Sequence, residues 1–175
     1  MNKGFEIIEA KWLFNIEVEN IEVLIHPQSI IHSMVEFADG SVKAQLGVPD
    51  MKIPIQYALT YPERVRSDFP RLDLALLKHL TFETPDYNKF ECLKLAFEVI
   101  KLGGSYPVVL NAANEAAVDL FLSERIKFSD IPCLINSALE KHTGSGTLEI
   151  ENIIEIDKWS RQHVYSTAGS AYQGV

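Results

Sequence analysis

The chain has 175 residues, 47% of them hydrophobic and 23% charged, a balance typical of one ordinary soluble domain or two small ones. Its 16 Lys+Arg against 24 Asp+Glu give a net charge of −8 with no basic arm, which excludes nucleic-acid or anionic-membrane binding as its main task. Two cysteines exclude a disulfide scaffold and fit a reducing compartment. No uncharged run reaches the ~18–20 apolar residues of a bilayer span, and the opening residues lack the layout of a signal peptide. The expected setting is cytoplasmic, without a membrane partner.

Residues 3–14 place Phe5, Ile8 and Trp12 at helical spacing and predict a helix with one buried face. A helix that begins at the second or third residue, with nothing before it as a cap, leads to the expectation that polypeptide lies upstream. From residue 20 the period changes. Ile21–Ile25 reads as a strand ended by His26-Pro27, because proline donates nothing to a ladder. Ile30–Phe37 and Ser41–Leu46 read as two more strands joined at Asp39-Gly40, a dipeptide suited to a type I′ turn. In the second of these Val42, Ala44 and Leu46 share one face, so a cover of flanking helices is expected.

A short helix follows at about 52–60, then a Pro-rich surface connection to about 71. Leu72-Asp73-Leu74 and Leu80-Thr81-Phe82 read as short strands. Beyond residue 87 the pattern is helical. Phe90, Leu93, Phe97 and Ile100 form a stripe stopped by Gly103-Gly104. Residues 107–123 follow, with Val109, Ala112, Ala113, Ala116 and Leu120 inward. A third helix runs to about 141 with Ser129 as its N-cap, His142–Gly146 forms a loop, and a fourth helix spans about 150–165. Ser166–Val175 reads as a frayed tail.

Motif search finds no glycine-rich nucleotide turn, no zinc spacing and no nucleophile elbow. What stands out is Asn2, Lys3 and Glu6 on the first helical turns. An amide, an ammonium and a carboxylate at a helix N-terminus suit a phosphorylated polyol with a hard divalent cation. On spacing alone the plainer reading is favoured, an exposed first turn with Glu6 near the positive end of the helix dipole. His26 and His32 read either as a pair at a pocket mouth or as a loop and an in-sheet histidine. Asn111, Asn114 and Glu115 read as buried groups that lock helix register, and Cys92 and Cys133 as inert packing residues.

Several long segments occur in one order: Asn2-Lys3-Gly4-Phe5-Glu6, Leu24-Ile25-His26-Pro27-Gln28-Ser29-Ile30-Ile31-His32-Ser33-Met34-Val35, Gln45-Leu46-Gly47-Val48-Pro49-Asp50-Met51, Leu80-Thr81-Phe82, Cys92-Leu93-Lys94-Leu95-Ala96 and Leu110-Asn111-Ala112-Ala113-Asn114-Glu115. Together they resemble the 1-deoxy-D-xylulose 5-phosphate reductoisomerase family over residues 2 to about 141. The resemblance implies an α+β chain: the second half of a catalytic α/β domain with a small sheet, then a C-terminal four-helix bundle, with the N-terminal Rossmann domain missing. The expected divisions are residues 1–60 for the catalytic portion, 61–86 for a linker, 87–165 for the bundle and 166–175 for a flexible tail.

The family's activity is the rearrangement and NADPH-dependent reduction of 1-deoxy-D-xylulose 5-phosphate to 2-C-methyl-D-erythritol 4-phosphate in isoprenoid biosynthesis, by a homodimer using Mg²⁺, Mn²⁺ or Co²⁺. The resemblance makes Glu6 a metal ligand, with its acidic partners upstream. It gives Asn2 and Lys3 the substrate's phosphate and hydroxyl groups, counts Lys3 and Glu6 as catalytic, and places Met51 near the pocket. A fragment of this kind is expected to be inactive alone. The rival expectation is a non-catalytic dimerisation or interaction module.

Overall fold

The computed structural model describes residues 1–144 and 148–172, the last three by backbone alone. The described residues fall into two compact units, one formed by Met1–Glu22 with residues from Asp86 onward, the other by Val23–Pro85. The expected boundary near residue 60 therefore does not coincide with the division. The reason lies in α1 (Asn2–Phe14), which belongs with the helical unit because it packs on α4 (Glu91–Leu102).

That contact is set by a glycine. A Cβ added at Gly4 would lie 2.7 Å from the Ala96 Cβ, so only a residue without a side chain lets the two helices approach this closely. Ile7, one turn on, is 2% exposed, and Phe5 and Ile8 pack against the same core. The first helix thus forms where its spacing predicts it, although Trp12, expected on the buried face with Phe5 and Ile8, is 72% exposed in the last turn. Asn15, in the left-handed region at φ 50°, ends it, its N–H donating to the Lys11 carbonyl.

The four helices α4, α5 (Tyr106–Leu122), α6 (Asp130–Lys141) and α7 (Ile150–Tyr172) form the bundle. All five residues expected on the inner face of α5 have no exposed surface. Their small size lets α6 and α7 come close, and Leu110, Leu120, Ile135 and Val164 fill the space between. On α4 the stripe is displaced. Leu93 and Ile100 are buried as expected, but Leu95, Ala96 and Val99 complete the face while Phe90 is exposed. Gly103, at φ 65°, ends α4.

Other expectations are corrected. Ser129 stands at the N-cap of α6 in helical backbone and makes no side-chain cap bond. Instead the Asp130 carboxylate accepts the Lys127 N–H at 2.8 Å. The helix expected to stop near 165 continues through Tyr172, so Ser166–Tyr172 is not a frayed tail; residues 173–175 lie outside the described residues. Ser145 and Gly146 of the expected loop also lie outside them. Asn111 is exposed and donates to Glu115 at 3.3 Å. It is no buried lock. α5 and α7 are instead bridged by Arg161, 2.6 Å from Glu115 and 2.8 Å from Asp157, and by Tyr165 donating to Asp119 at 3.1 Å. These partners hold the Arg161 guanidinium firmly in its charged form. Cys133 is exposed rather than packed, whereas burial raises the pKa of the half-buried Cys92 thiol.

The second unit is built around one hairpin, β1 (Ile31–Glu36) antiparallel to β2 (Val42–Leu46). Its turn is not type I′. Gly40 N–H donates to the Phe37 carbonyl, Phe37 N–H to Ser41, and only Gly40 has positive φ, so a three-residue loop closes the hairpin with a glycine bulge. The Asp39 side chain explains the choice. It accepts from both the N–H and the hydroxyl of Ser41, which fixes the turn and lowers the Asp39 pKa.

Ile31 pairs with Leu46 and Ser33 with Gln45, leaving His32 as the extra residue of a bulge. β2 is exposed throughout, with Val42 at 56%, so the expected cover on its apolar face is not observed. Ile21–Ile25 is not a strand either. Val18–Asn20 forms a 3₁₀ turn, and only Ile25 bridges, to Glu83. Leu72-Asp73-Leu74 forms no strand because Asp73 caps a single helical turn, α3 (Leu74–Leu77), accepting from Ala75 and Leu76 N–H. Leu80-Thr81-Phe82 is likewise not a ladder strand; it lies beside the Glu83 bridge. The helix α2 (Lys52–Thr60) forms as expected.

Candidate functional site

α1 presents two faces. The inner face is apolar and seated on α4. The outer face carries Asn2, Lys3, Glu6 and Glu9, all exposed. The spacing of four residues between Asn2 and Glu6 sets them one turn apart on that face. Lys3 Nζ pairs with Glu6 Oε2 at 2.5 Å, and both side chains are slightly more than half exposed, at 53% and 54%. An exposed pair of this kind contributes ~0–1 kcal/mol, so a stronger cation for the carboxylate and a stronger anion for the ammonium displace it at little cost. Met1 occupies the N-cap position without a side-chain cap bond. The first N–H groups of the helix therefore lie beside Asn2 and Lys3, where they favour an anion.

The structure thus brings together the three residues singled out by sequence, on a rigid helix. Glu6 supplies a charged oxygen donor there, and Glu9 lies three residues further along the same face. Among the described residues no three His, Cys, Asp or Glu side chains come together as a metal cage. The Glu6 carboxylate is a donor of the kind a hard divalent cation takes.

The remaining candidates lie in the second unit. His26 Nδ1 donates to the Thr81 carbonyl at 2.8 Å, and its ring stacks on Phe82 with centroids 4.7 Å apart. Its Nε2 is buried without a hydrogen-bond partner among the described residues. Beside it, Gln28 donates to the Thr81 hydroxyl at 2.8 Å and accepts the Thr81 N–H at 3.2 Å. Every polar group of Thr81 is therefore held by the His26–Gln28 loop, which gives this loop a structural task. Nothing in the sequence spacing announced the pairing, since 53 residues separate Gln28 from Thr81. His32 is exposed at its bulge, apart from that clasp, and Met51 is 71% exposed at the start of α2. Neither lines an enclosed pocket within its unit.

Sequence reading also missed a cluster in the bundle. Ser105, fully buried at the start of α5, shares a 2.7 Å hydrogen bond with His142 Nε2 at the end of α6, and the Tyr106 hydroxyl donates to the His142 carbonyl. Trp159 packs its ring on those of His142 and His163. Burial lowers the His142 pKa from its ordinary value.

A helical bundle together with a small hairpin unit defines an α+β protein. Residues 46–163 match the family model described as the DXP reductoisomerase C-terminal domain, and the chain belongs to that family. It is 60% identical over 172 residues to the 1-deoxy-D-xylulose 5-phosphate reductoisomerase of Chloroherpeton thalassium, covering 98% of this chain and 44% of that protein. It is 56% identical to that of Acetivibrio thermocellus, covering 94% and 43%.

A solved structure of the Zymomonas mobilis reductoisomerase in complex with NADPH superposes with a TM-score of 0.89 at 45% identity, over 95% of this chain and 44% of that one. A DOX-P reductoisomerase in complex with NADPH, fosmidomycin and magnesium superposes at 0.91 with 44% identity, over 99% and 45%. The α+β architecture expected from sequence is thereby borne out. The chain spans less than half the length of the relatives it matches.

Proposed function

We propose that this chain supplies one wall of the metal and sugar-phosphate site of a 1-deoxy-D-xylulose 5-phosphate reductoisomerase, an NADPH-dependent oxidoreductase of isoprenoid biosynthesis. The single observation that carries this is the Asn2, Lys3 and Glu6 face at the start of α1, in a chain 98% of which aligns with a reductoisomerase at 60% identity. The nucleotide site and the remaining cation ligands belong to the length of the relatives that this chain does not span. The active assembly is a homodimer in a cytoplasmic setting.

Each residue has a task that its chemistry fits. Glu6 gives a charged oxygen to Mg²⁺ or Mn²⁺, and Co²⁺ is compatible with the same donor. When bound, such a cation supplies Lewis acidity to the carbonyl and hydroxyl oxygens of the substrate. Lys3, released from Glu6, places its ammonium against the substrate's anionic end, and the Asn2 amide hydrogen-bonds a phosphate or hydroxyl oxygen. These remote contacts orient the reacting carbons and lower the entropic part of the barrier. Gly4 and Ile7 fix the helix that carries them, so the three groups keep their spacing. NADPH brings the hydride; Met51, exposed at the start of α2, is the residue of this chain that the resemblance sets near the pocket.

The test is turnover in an assembly completed by the portion of the Chloroherpeton thalassium relative that this chain leaves out. Glu6→Gln is expected to lower kcat by at least a hundredfold, Lys3→Ala and Asn2→Ala to raise KM for the sugar phosphate. Unchanged turnover in Glu6→Gln contradicts the proposal and favours a module that only assembles subunits.

A further inference from the structure

Gly4 and Glu6 stand on opposite sides of α1. Two residues along a helix of 3.6 per turn separate them by about 200°. Gly4 is accordingly buried against α4, while Glu6 faces away with 54% of its side chain exposed. The floor beneath Gly4 belongs to α4. A Cβ built on Gly4 lies 2.7 Å from the Ala96 Cβ and 3.6 Å from the Cys92 carbonyl oxygen, and these two residues are one turn apart on that helix. Ala96 is itself fully buried. The helices therefore meet main chain to methyl, with no flexible side chain between them to absorb a change. Bulk added at position 96 displaces α1 along the line that runs from Ala96 through Gly4 to Glu6.

We propose that Ala96 is a positioning residue that sets the size preference of the cation site. It touches no ligand. Its methyl fixes how far the Glu6 carboxylate stands from the bundle, and so which divalent ion that carboxylate suits. The placement of Glu6 at a cation rests on the reading given under Proposed function. Ion size is the sensitive quantity because the two commonest hard cations differ in tolerance. Mg²⁺ demands near-ideal octahedral geometry with oxygens at about 2.0–2.1 Å, whereas Ca²⁺ takes oxygens at about 2.3–2.6 Å in flexible arrangements. Once α1 is displaced, the carboxylate meets the smaller ion only through a poorer rotamer, while the larger ion tolerates the new position. A misplacement of about 1 Å caused far from the chemistry is enough to cost about a hundredfold. Lys3 cannot compensate, since it rides on the same helix as Glu6.

The experiment measures Mn²⁺ binding by electron paramagnetic resonance, with Mg²⁺ and Ca²⁺ as competitors, in the assembly completed by the portion of the Chloroherpeton thalassium relative that this chain leaves out. Ala96→Ser and Ala96→Val are expected to lower the ratio of Mg²⁺ to Ca²⁺ affinity in steps, by at least tenfold for valine, with helix content by circular dichroism unchanged. Gly4→Ala is expected to lower the ratio as well. Adding Ala96→Gly to it moves the methyl from one helix to the other and is expected to restore the ratio. Ala138→Val overpacks the same core from α6, where Ala138 is equally buried, and is expected to leave the ratio as it was. A merely structural role moves stability in all of these variants and the ratio in none. The proposal is overturned if Ala96→Val keeps the ratio, if Ala138→Val shifts it as far, or if the exchanged pair fails to restore it. Where Ala96→Val does not fold, Ala96→Ser and the exchanged pair decide by the same criteria. Mn²⁺ affinity left unchanged by Glu6→Gln refutes the reading of the site itself. A tenfold loss in Glu6→Gln with a constant ratio in Ala96→Val refutes this inference alone.

Discussion

The helical unit and the hairpin unit are stabilised by different physics. In the first, α5 is enclosed by its neighbours, with Val109, Leu110, Ala113, Ala116 and Leu120 all removed from water. In the second, β2 is exposed along its whole length, and order depends on polar closures: Asp39 on Ser41, Asp73 on α3, and the His26–Gln28 loop on Thr81. Burial of a whole leucine is worth ~1.5–3 kcal/mol, whereas a hydrogen bond nets ~0.5–1.5 kcal/mol. The bundle is thus the stable frame. Because α1 is seated on it, the candidate site inherits that rigidity, although in sequence it stands next to the hairpin unit.

The largest effect that sharpens this contrast is core truncation. Leu110→Ala or Leu120→Ala is expected to cost about 2–5 kcal/mol in denaturant unfolding, while Val42→Ala on the exposed β2 is expected to stay within about 0.5 kcal/mol. Equal losses at the two places contradict the division of labour. Next comes the seat of α1. Gly4→Ala sets a methyl against Ala96 and is expected to cost about 1–3 kcal/mol. Ala96→Gly in the same chain should recover much of that loss, and a double-mutant cycle without coupling refutes the close approach.

Smaller still is the clasp of the hairpin unit. Gln28→Ala is expected to cost about 1 kcal/mol and to speed hydrogen exchange at the Ile25 and Glu83 amides, which bond each other's carbonyls at 2.8 and 2.9 Å. Bundle amides should keep their protection.

The smallest expected effect concerns pH. Burial lowers the folded-state pKa of His142 below its ordinary 6.5, so the folded chain binds this proton less readily than the unfolded chain does. Stability contributed by the neutral ring is therefore intact above about pH 6.5 and declines as pH falls through the lower folded value. Replacing His142 by Gln should flatten the part of the Tm profile below that pH. An unchanged slope would show that the decline originates elsewhere.

Much of this was legible in the residues. Period-3.6 stripes located α4 and α5, because burial of one face repeats at that spacing whatever the partner. The small-residue face of α5 also announced a close helix contact correctly. The Asn2, Lys3 and Glu6 face was legible for the same reason, helical geometry alone setting them on one side.

What failed was wherever local pattern competed with a single polar group. Ile21–Ile25 has strand composition but no partner strand beyond one bridge at Glu83. Leu72-Asp73-Leu74 alternates like a strand, yet Asp73 spends its carboxylate on capping α3. Asp39-Gly40 marked a turn, but the extra loop residue that makes it a bulged one is not encoded in the dipeptide. Long-range pairs such as Gln28 with Thr81 or Ser105 with His142 have no sequence period at all, being set by how the elements pack. The continuation of α7 to Tyr172 was hidden because Ser, Thr and Gly carry low helix propensity, which packing of Val164 and Ala168 into the bundle overrides.

The central claim is that Glu6 is one ligand of a divalent-cation site completed by polypeptide outside this chain. The most direct measurement is Mn²⁺ titration followed by electron paramagnetic resonance, performed on the chain alone, on the assembly completed by the Chloroherpeton thalassium portion, and on the same assembly carrying Glu6→Gln. The account predicts no specific uptake by the chain alone, one bound ion per site in the completed assembly, and at least tenfold weaker binding in Glu6→Gln. Equal Mn²⁺ affinity in the substituted and unsubstituted assemblies would contradict it.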